Sequence, residues 1–186
     1  PAAEIPSNDT HLGAIPVGVP STTRASTRGA TVDPVDWGVD CGPHINPAIW
    51  YSFTAPSDGA YVFDTSASAL DDTVIALFDT CDVDGTTPPP LFVCNDFDGE
   101  GNHGRVDGYI EAGTSLCIAV AGRFLSEQGD VTLTVTRLPP PPINDECAGA
   151  LPVALGETVF GDNYASVPVD IFSECPNRNF PLWYSF

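Results

Sequence analysis

The side chains best equipped for chemistry in this 186-residue chain are carboxylates and amides crowded between positions 71 and 102. They comprise Asp71-Asp72, Asp79, Asp82-Val83-Asp84-Gly85 and the run Asn95-Asp96-Phe97-Asp98-Gly99-Glu100-Gly101-Asn102. Calcium takes six to eight hard oxygens, and Asp alternating with Gly lets a loop wrap its carboxylates around one ion. Asn95-Asp96-x-Asp98-Gly99 has that grammar. It lacks the closing Glu and flanking helices of an EF-hand, which excludes that motif. If calcium is the cofactor, Asp96 and Asp98 are the expected ligands, with Asp71 or Asp72 contributing across a hairpin. The competing reading is that these are solvated turns in which Asp and Asn cap the backbone. Some of the carboxylates are also within reach of a pairing with Arg105.

Other chemistries find less support. His11, His44 and His103 are scattered without metal-ligand spacing, which reads as surface or loop placement. There is no Gly-x-Ser-x-Gly elbow and no phosphate-binding loop. No two of the many carboxylates stand apart as a glycosidase pair. The expectation is a protein that is not an enzyme. Asn8-Asp9-Thr10 matches the N-glycosylation pattern, making Asn8 the candidate acceptor.

The charge balance narrows the partners. Twenty-five acidic residues face six basic ones, for a net charge of −19. Such a surface repels nucleic acid and anionic membranes, and it suits divalent cations. No apolar run approaches 18 residues, so no membrane insertion is expected. Six Cys without a clustered Cys-x-x-Cys point to disulfides in an oxidising setting, hence an extracellular or cell-surface location. The opening Pro1-Ala2-Ala3-Glu4 reads as a processed or excised end rather than a translation start.

The elements that would carry these residues are strands. Gly 17 and Pro 19 punctuate the chain, and no dozen residues keep a helical apolar period. Strands are expected at Ile49–Thr54, Ala60–Thr65, Thr73–Asp79, Leu91–Cys94, Val106–Ile110, Ser115–Ala121 and Asp130–Arg137. In the last, Val131, Leu133 and Val135 alternate with Thr132, Thr134 and Thr136, as a half-buried strand requires. Leu116, Ile118 and Val120 alternate likewise. The turn signal Pro56-Ser57-Asp58-Gly59 predicts a hairpin between the first two strands. Trp50, Tyr51 and Phe53 read first as core and cross-strand packing. Seven short strands in this span predict an all-β, antiparallel β-sandwich of jelly-roll type.

The chain also begins to repeat itself. Asn8-Asp9-Thr10 and Gly13-Ala14-Ile15-Pro16-Val17 return as Asn144-Asp145-Glu146 and Gly149-Ala150-Leu151-Pro152-Val153. Trp50-Tyr51-Ser52-Phe53 returns as Trp183-Tyr184-Ser185-Phe186. Repeats at a fixed period signal an arrayed architecture. The expected organisation is a linker over 1–7, a sandwich over 8–137, a polyproline connector over 138–143, and the opening of a second, incomplete sandwich over 144–186. Pro139–Pro142 is a semi-rigid spacer at roughly 3 Å per residue.

In order and spacing these motifs resemble the bacterial pre-peptidase C-terminal domain. The matching residues are Asn144-Asp145-Glu146-Cys147, Trp50–Pro56, Gly59–Thr65, Asp72-Thr73, Cys94-Asn95-Asp96, Gly113-Thr114 and Leu133-Thr134-Val135. The resemblance implies a non-catalytic β-sandwich of secreted proteins, often in tandem. The first unit departs from the pattern where His11 replaces the opening Cys, which leaves Cys41 without the partner that Cys175 has in Cys147. The expected disulfides are Cys81–Cys94, clipping the Thr86–Pro90 loop, and Cys147–Cys175. Cys117 would then reach Cys41 on a covering loop, unless one of that pair is a free buried thiol. Six Cys allow 15 pairings, so the pattern alone leaves connectivity open.

Two functions follow. One is a structural building block of an extracellular filament or long tandem-repeat surface protein. Its unfinished unit would be completed by following residues or by the next subunit, with copies of itself or neighbouring repeats as partners. The other is an accessory domain of a secreted bacterial hydrolase that binds substrate, glycans included.

Overall fold

The computed structural model describes residues 4–32, 46–81, 90–97, 101–145, 147–161 and 182–186. The chain divides after Arg137 into two compact units. No α-helix occurs among the described residues, and none is long and apolar enough to cross a membrane.

The first unit is an antiparallel β-sandwich. One sheet contains β1 (Ile15–Val17), β3 (Ala48–Thr54), β9 (Ser115–Gly122), β5 (Asp72–Phe78) and β6 (Leu91–Asn95) in that spatial order, with β7 (Asn102–His103) also pairing β5. The other contains β2 (Ser21–Ser26), β10 (Asp130–Arg137), β4 (Gly59–Asp64) and β8 (Arg105–Ile110), again in spatial order. Pairing is antiparallel except for β1 with β3 and β7 with β5.

The alternation in the sequence sets which residues fill the space between the sheets. Val131, Leu133 and Val135 point inward from β10, while Leu116, Ile118 and Val120 point inward from β9. They meet Tyr51 and Phe53 from β3 and Tyr61 and Phe63 from β4. Phe53 lies edge-on to both Tyr61 and Phe63, with ring centroids 5.2 Å away in each case. Such pairs add about 0.5–1.5 kcal/mol beyond their buried area.

That stacking corrects the expected hairpin. β3 and β4 belong to different sheets, and their aromatic rings face one another across the core. Alternation reveals a strand's apolar face but not its lateral partner. Pro56–Gly59 therefore crosses between sheets, held by the Tyr61 hydroxyl donating to the Ser57 carbonyl at 2.6 Å. The Ala112 N–H donates to the Asp58 carboxylate at 2.7 Å and ties this crossing to the β8–β9 turn.

The first sheet is buried on its outer face too. Ala48, Trp50, Val74, Ala76, Phe78, Cys117, Ala119 and Ala121 form a second apolar cluster there. Small residues at 76, 119 and 121 leave room for the Trp50 and Phe78 rings, whose centroids are 5.3 Å apart. A disulfide joins Cys81 to Cys117. This replaces the expected Cys81–Cys94 and Cys41–Cys117 pairings for a positional reason. Phe78 stands opposite Cys117 in the ladder, so the chain leaving β5 carries Cys81 over that same spot. The two Cα atoms are 4.9 Å apart across 36 residues of chain, a closure worth about 4 kcal/mol in the chain-entropy model. Cys94 is disulfide-bonded as well. Cys147 is an exposed free thiol, and both Cys175 and Cys41 lie outside the described residues.

Tyr51 is completely buried, and its hydroxyl makes no well-formed hydrogen bond among the described residues. The nearby Asn8 amide is committed to the Trp50 carbonyl and only weakly favours ionisation. Burial pushes the phenol up to about 12 from an ordinary value of 10.0. The unfolded chain therefore releases this proton first. The stability difference is intact below pH 10 and is lost as pH rises toward 12, at up to about 1.4 kcal/mol per pH unit. Urea midpoints of the parent and Tyr51→Phe should agree within about 1 kcal/mol at pH 7. Above pH 10 the parent should fall away faster, and parallel curves would count against the assignment.

Candidate functional site

Two places bring together residues singled out above. The first is the end of the first sheet where β5 begins and where β6 and β9 finish. Asp71 is exposed there, and Asp72 is half-buried. Asp96, just past β6, forms an ion pair with Arg123, just past β9. The Arg123 N–H also donates to the Asp72 carbonyl at 3.3 Å. Burial, together with the nearby Glu127 and Asp96 charges, holds the Asp72 carboxyl above its ordinary range, and Arg123 and His103 act in the opposite sense. Asp98 lies outside the described residues.

Where the sequence suggested calcium, the described residues supply a guanidinium. No group of three or more His, Cys, Asp or Glu side chains gathers among them into a metal-binding set. Arg105 pairs with Asp64 at 3.9 Å and Asp107 at 3.7 Å on the second sheet, neither of which belongs to the acidic loops expected to engage it. Arg123 was not anticipated, because the contact joins segments far apart in the chain. Phe97 and Phe124, the residues following the two members of the ion pair, are 71% and 58% exposed.

The second place is the frame that opens each unit. In the first unit the Asn8 amide donates to the Trp50 carbonyl at 3.0 Å, and the Trp50 N–H returns to the Asn8 carbonyl at 2.8 Å. A short 3-10 turn, His11–Gly13, then leads into β1, whose Ile15 pairs with Tyr51. The second unit rebuilds this bond for bond. Asn144 donates to the Trp183 carbonyl at 3.1 Å, and the Trp183 N–H returns at 2.8 Å. The turn Cys147–Gly149 leads into β11 (Leu151–Pro152), which runs parallel to β12 (Tyr184–Ser185) with Leu151 opposite Tyr184. The glycine of each turn is required by space. A Cβ on Gly13 would sit 2.7 Å from the Ser7 carbonyl, and one on Gly149 would sit 2.0 Å from that of Ile143.

This frame corrects two sequence expectations. Asn8 is 2% exposed and its amide nitrogen is engaged, so the folded chain offers no acceptor for a glycan. His11, expected on a surface or loop, is buried edge-on against Trp50 at 5.9 Å, and neither ring nitrogen has a partner among the described residues. His103 is half-buried with Nε2 3.0 Å from the Leu70 carbonyl, and His44 lies outside the described residues.

The chain is similar to a pre-peptidase C-terminal domain. That domain, from a collagenase of Bacillus anthracis, is 16% identical with a TM-score of 0.41, over 66% of this chain and 93% of that one. A periplasmic inhibitor of g-type lysozyme from Aeromonas hydrophila is 15% identical, with a TM-score of 0.40 over 67% and 99% of the two chains. A family 35 carbohydrate-binding module from Clostridium thermocellum is 16% identical, with a TM-score of 0.28 over 62% and 97%. No family model and no curated protein matches the chain. Likeness at this level concerns architecture, and no residue role is carried across from it.

The acidic end makes a direct prediction. Arg123→Gln removes the cation that pairs with Asp96 and offsets the Asp72 carboxylate, so it should lower the melting temperature by a few degrees at low salt. The deficit should shrink in about 1 M salt, where the screening length is near 3 Å. Adding Asp72→Asn to the variant should recover part of the loss. A deficit that ignores both salt and the second substitution would mean that Arg123 acts through packing alone.

Proposed function

We propose that this chain is a non-catalytic extracellular module of a tandem β-sandwich array, serving as a building block of a filament or long surface protein. The observation that carries the reading is the reconstruction of the Asn8–Trp50 frame by Asn144 and Trp183, in the same register. A matched set of hydrogen bonds, beyond a similarity of sequence, supports reading this segment as the start of another sandwich. The Cys81–Cys117 disulfide supports an oxidising compartment. A net charge of −19 supports mutual repulsion between crowded neighbours, and it argues against nucleic-acid partners.

A second reading rests on a different observation. Phe97 and Phe124 are exposed beside the Asp96–Arg123 ion pair, which places aromatic faces next to polar groups as a glycan-binding surface requires. On this reading the unit is an accessory domain that holds a secreted hydrolase to its substrate. Calcium at the acidic loops is compatible with either reading and would use Asp96 and Asp98, with Asp71 or Asp72 contributing, in competition with Arg123 for the Asp96 carboxylate.

Electron microscopy of the native material separates the two. Filaments or extended chains with an axial repeat of one domain length are expected from the array, and discrete particles would reject it. Retention of the protein on immobilised polysaccharide, abolished by Phe97→Ala with Phe124→Ala, is the outcome the accessory reading requires.

A further inference from the structure

The second sheet ends at β8, which has β4 on one side and, among the described residues, no strand on the other. Val106 and Ile110 of this strand are buried in the core. Gly108 takes the inward position between them, yet it is exposed, as are Asp107 and Tyr109 on either side of it. A Cβ on Gly108 would meet no atom within 4 Å. The flank of the sandwich is therefore open along the middle of β8.

An open edge is a template for another strand, and proteins blunt such edges with Pro, bulges or charge. β1 carries Pro16, and the pairing of β6 with β5 shifts in register at Leu77/Phe78. β2 has Ala25 as its one apolar side chain. β8 is blunted in none of these ways. Its register with β4 is unbroken from Arg105 to Ile110, and no charge lies among its inward residues Val106, Gly108 and Ile110.

The strand itself specifies what fits there. Residues 105–111 read Arg-Val-Asp-Gly-Tyr-Ile-Glu. Set antiparallel against a second copy with the two Gly108 residues opposed, Arg105 meets Glu111, Val106 meets Ile110 and Asp107 meets Tyr109, each pair occurring twice. Inward residues stay inward, and Arg and Glu face each other on the outer surface. Centring on Asp107 instead sets two carboxylates face to face, and centring on Tyr109 sets Asp107 against Glu111. Arg105 has capacity to spare for this contact. Its approaches to Asp64 and Asp107 are 3.9 and 3.7 Å, against about 2.8 Å for a close charge-assisted hydrogen bond. Glu111 is exposed.

We infer that β8 pairs with β8 of a second copy of this chain about a two-fold axis at Gly108, joining two four-stranded sheets edge to edge. Such a contact is isologous and closes on itself. It ties two chains side by side and cannot extend a filament, so it stands apart from the tandem array.

Sedimentation of the intact chain over a range of concentrations tests the pairing. A monomer–dimer equilibrium is expected, with the amides of β8 exchanging more slowly as the dimer fills. Glu111→Arg sets Arg against Arg, and Arg105→Glu sets Glu against Glu. Each variant alone should associate at least about tenfold more weakly than the parent. An equal mixture of the two variants restores both charge pairs, so it should dimerise where neither does separately. Glu111 lies on the surface, and melting curves establish that both variants are folded. Should Arg105→Glu not fold, the weakening by Glu111→Arg and the exchange of the β8 amides decide the matter. The inference is overturned by a chain that stays monomeric at millimolar concentration, or by a dimer that Glu111→Arg leaves intact. A mixture of folded variants that associates no better than its components also overturns it.

Discussion

A strand buried on both faces has nowhere to hide an unpaired backbone group. β3 is such a strand, with Ile49, Tyr51 and Phe53 turned into the sandwich and Ala48 and Trp50 into the outer cluster. Its burial is tolerable only because β9 supplies hydrogen bonds along one edge while β1 and Asn8 supply them along the other. The remaining elements follow from keeping this strand enclosed. β4 meets its inner aromatic rings, His11 covers Trp50, and the Cys81–Cys117 bond pins β5 to the strand that flanks it. Asn8 and Trp50 are 42 residues apart in sequence, so the enclosure is assembled from distant parts of the chain.

The same requirement explains what could be read from sequence. Period-two alternation exposed the inward faces of β9 and β10, because burial on one side writes itself into every second residue. The seven strands expected from alternation and turn signals are present, Asp130–Arg137 with the expected bounds and the others shifted by a single residue at one or both ends, and β1, β2 and β7 went unseen. β1 and β7 are only three and two residues long, and β2 is built from Ser, Thr, Arg and Ala, which carry no apolar period. Lateral neighbours were harder. A turn signal between two aromatic strands predicts a hairpin and a sheet-to-sheet crossing equally well, and only the packing of Phe53 on Tyr61 and Phe63 decides it.

The candidate sites show a similar division. Cys81 and Cys117 meet because β5 and β9 are neighbours in a particular register, a fact absent from cysteine spacing. Arg123 finds Asp96 for the same reason, which is how an acidic stretch suggestive of calcium comes to hold an arginine at one of its carboxylates. The opening frame was legible, since two matched blocks kept their order and spacing. What sequence could not disclose was that Asn8 serves as a bracket rather than a surface residue.

The enclosure of Asn8 has a practical consequence for producing this protein. Its position fits the acceptor pattern that a eukaryotic secretory pathway modifies on the nascent chain, before any sandwich exists to conceal it. A sugar attached at that moment would occupy the nitrogen that must later reach the Trp50 carbonyl through a space with no room for it. Expression hosts lacking that machinery avoid the conflict, while a glycosylating host sets the modifying enzyme in a race against the fold.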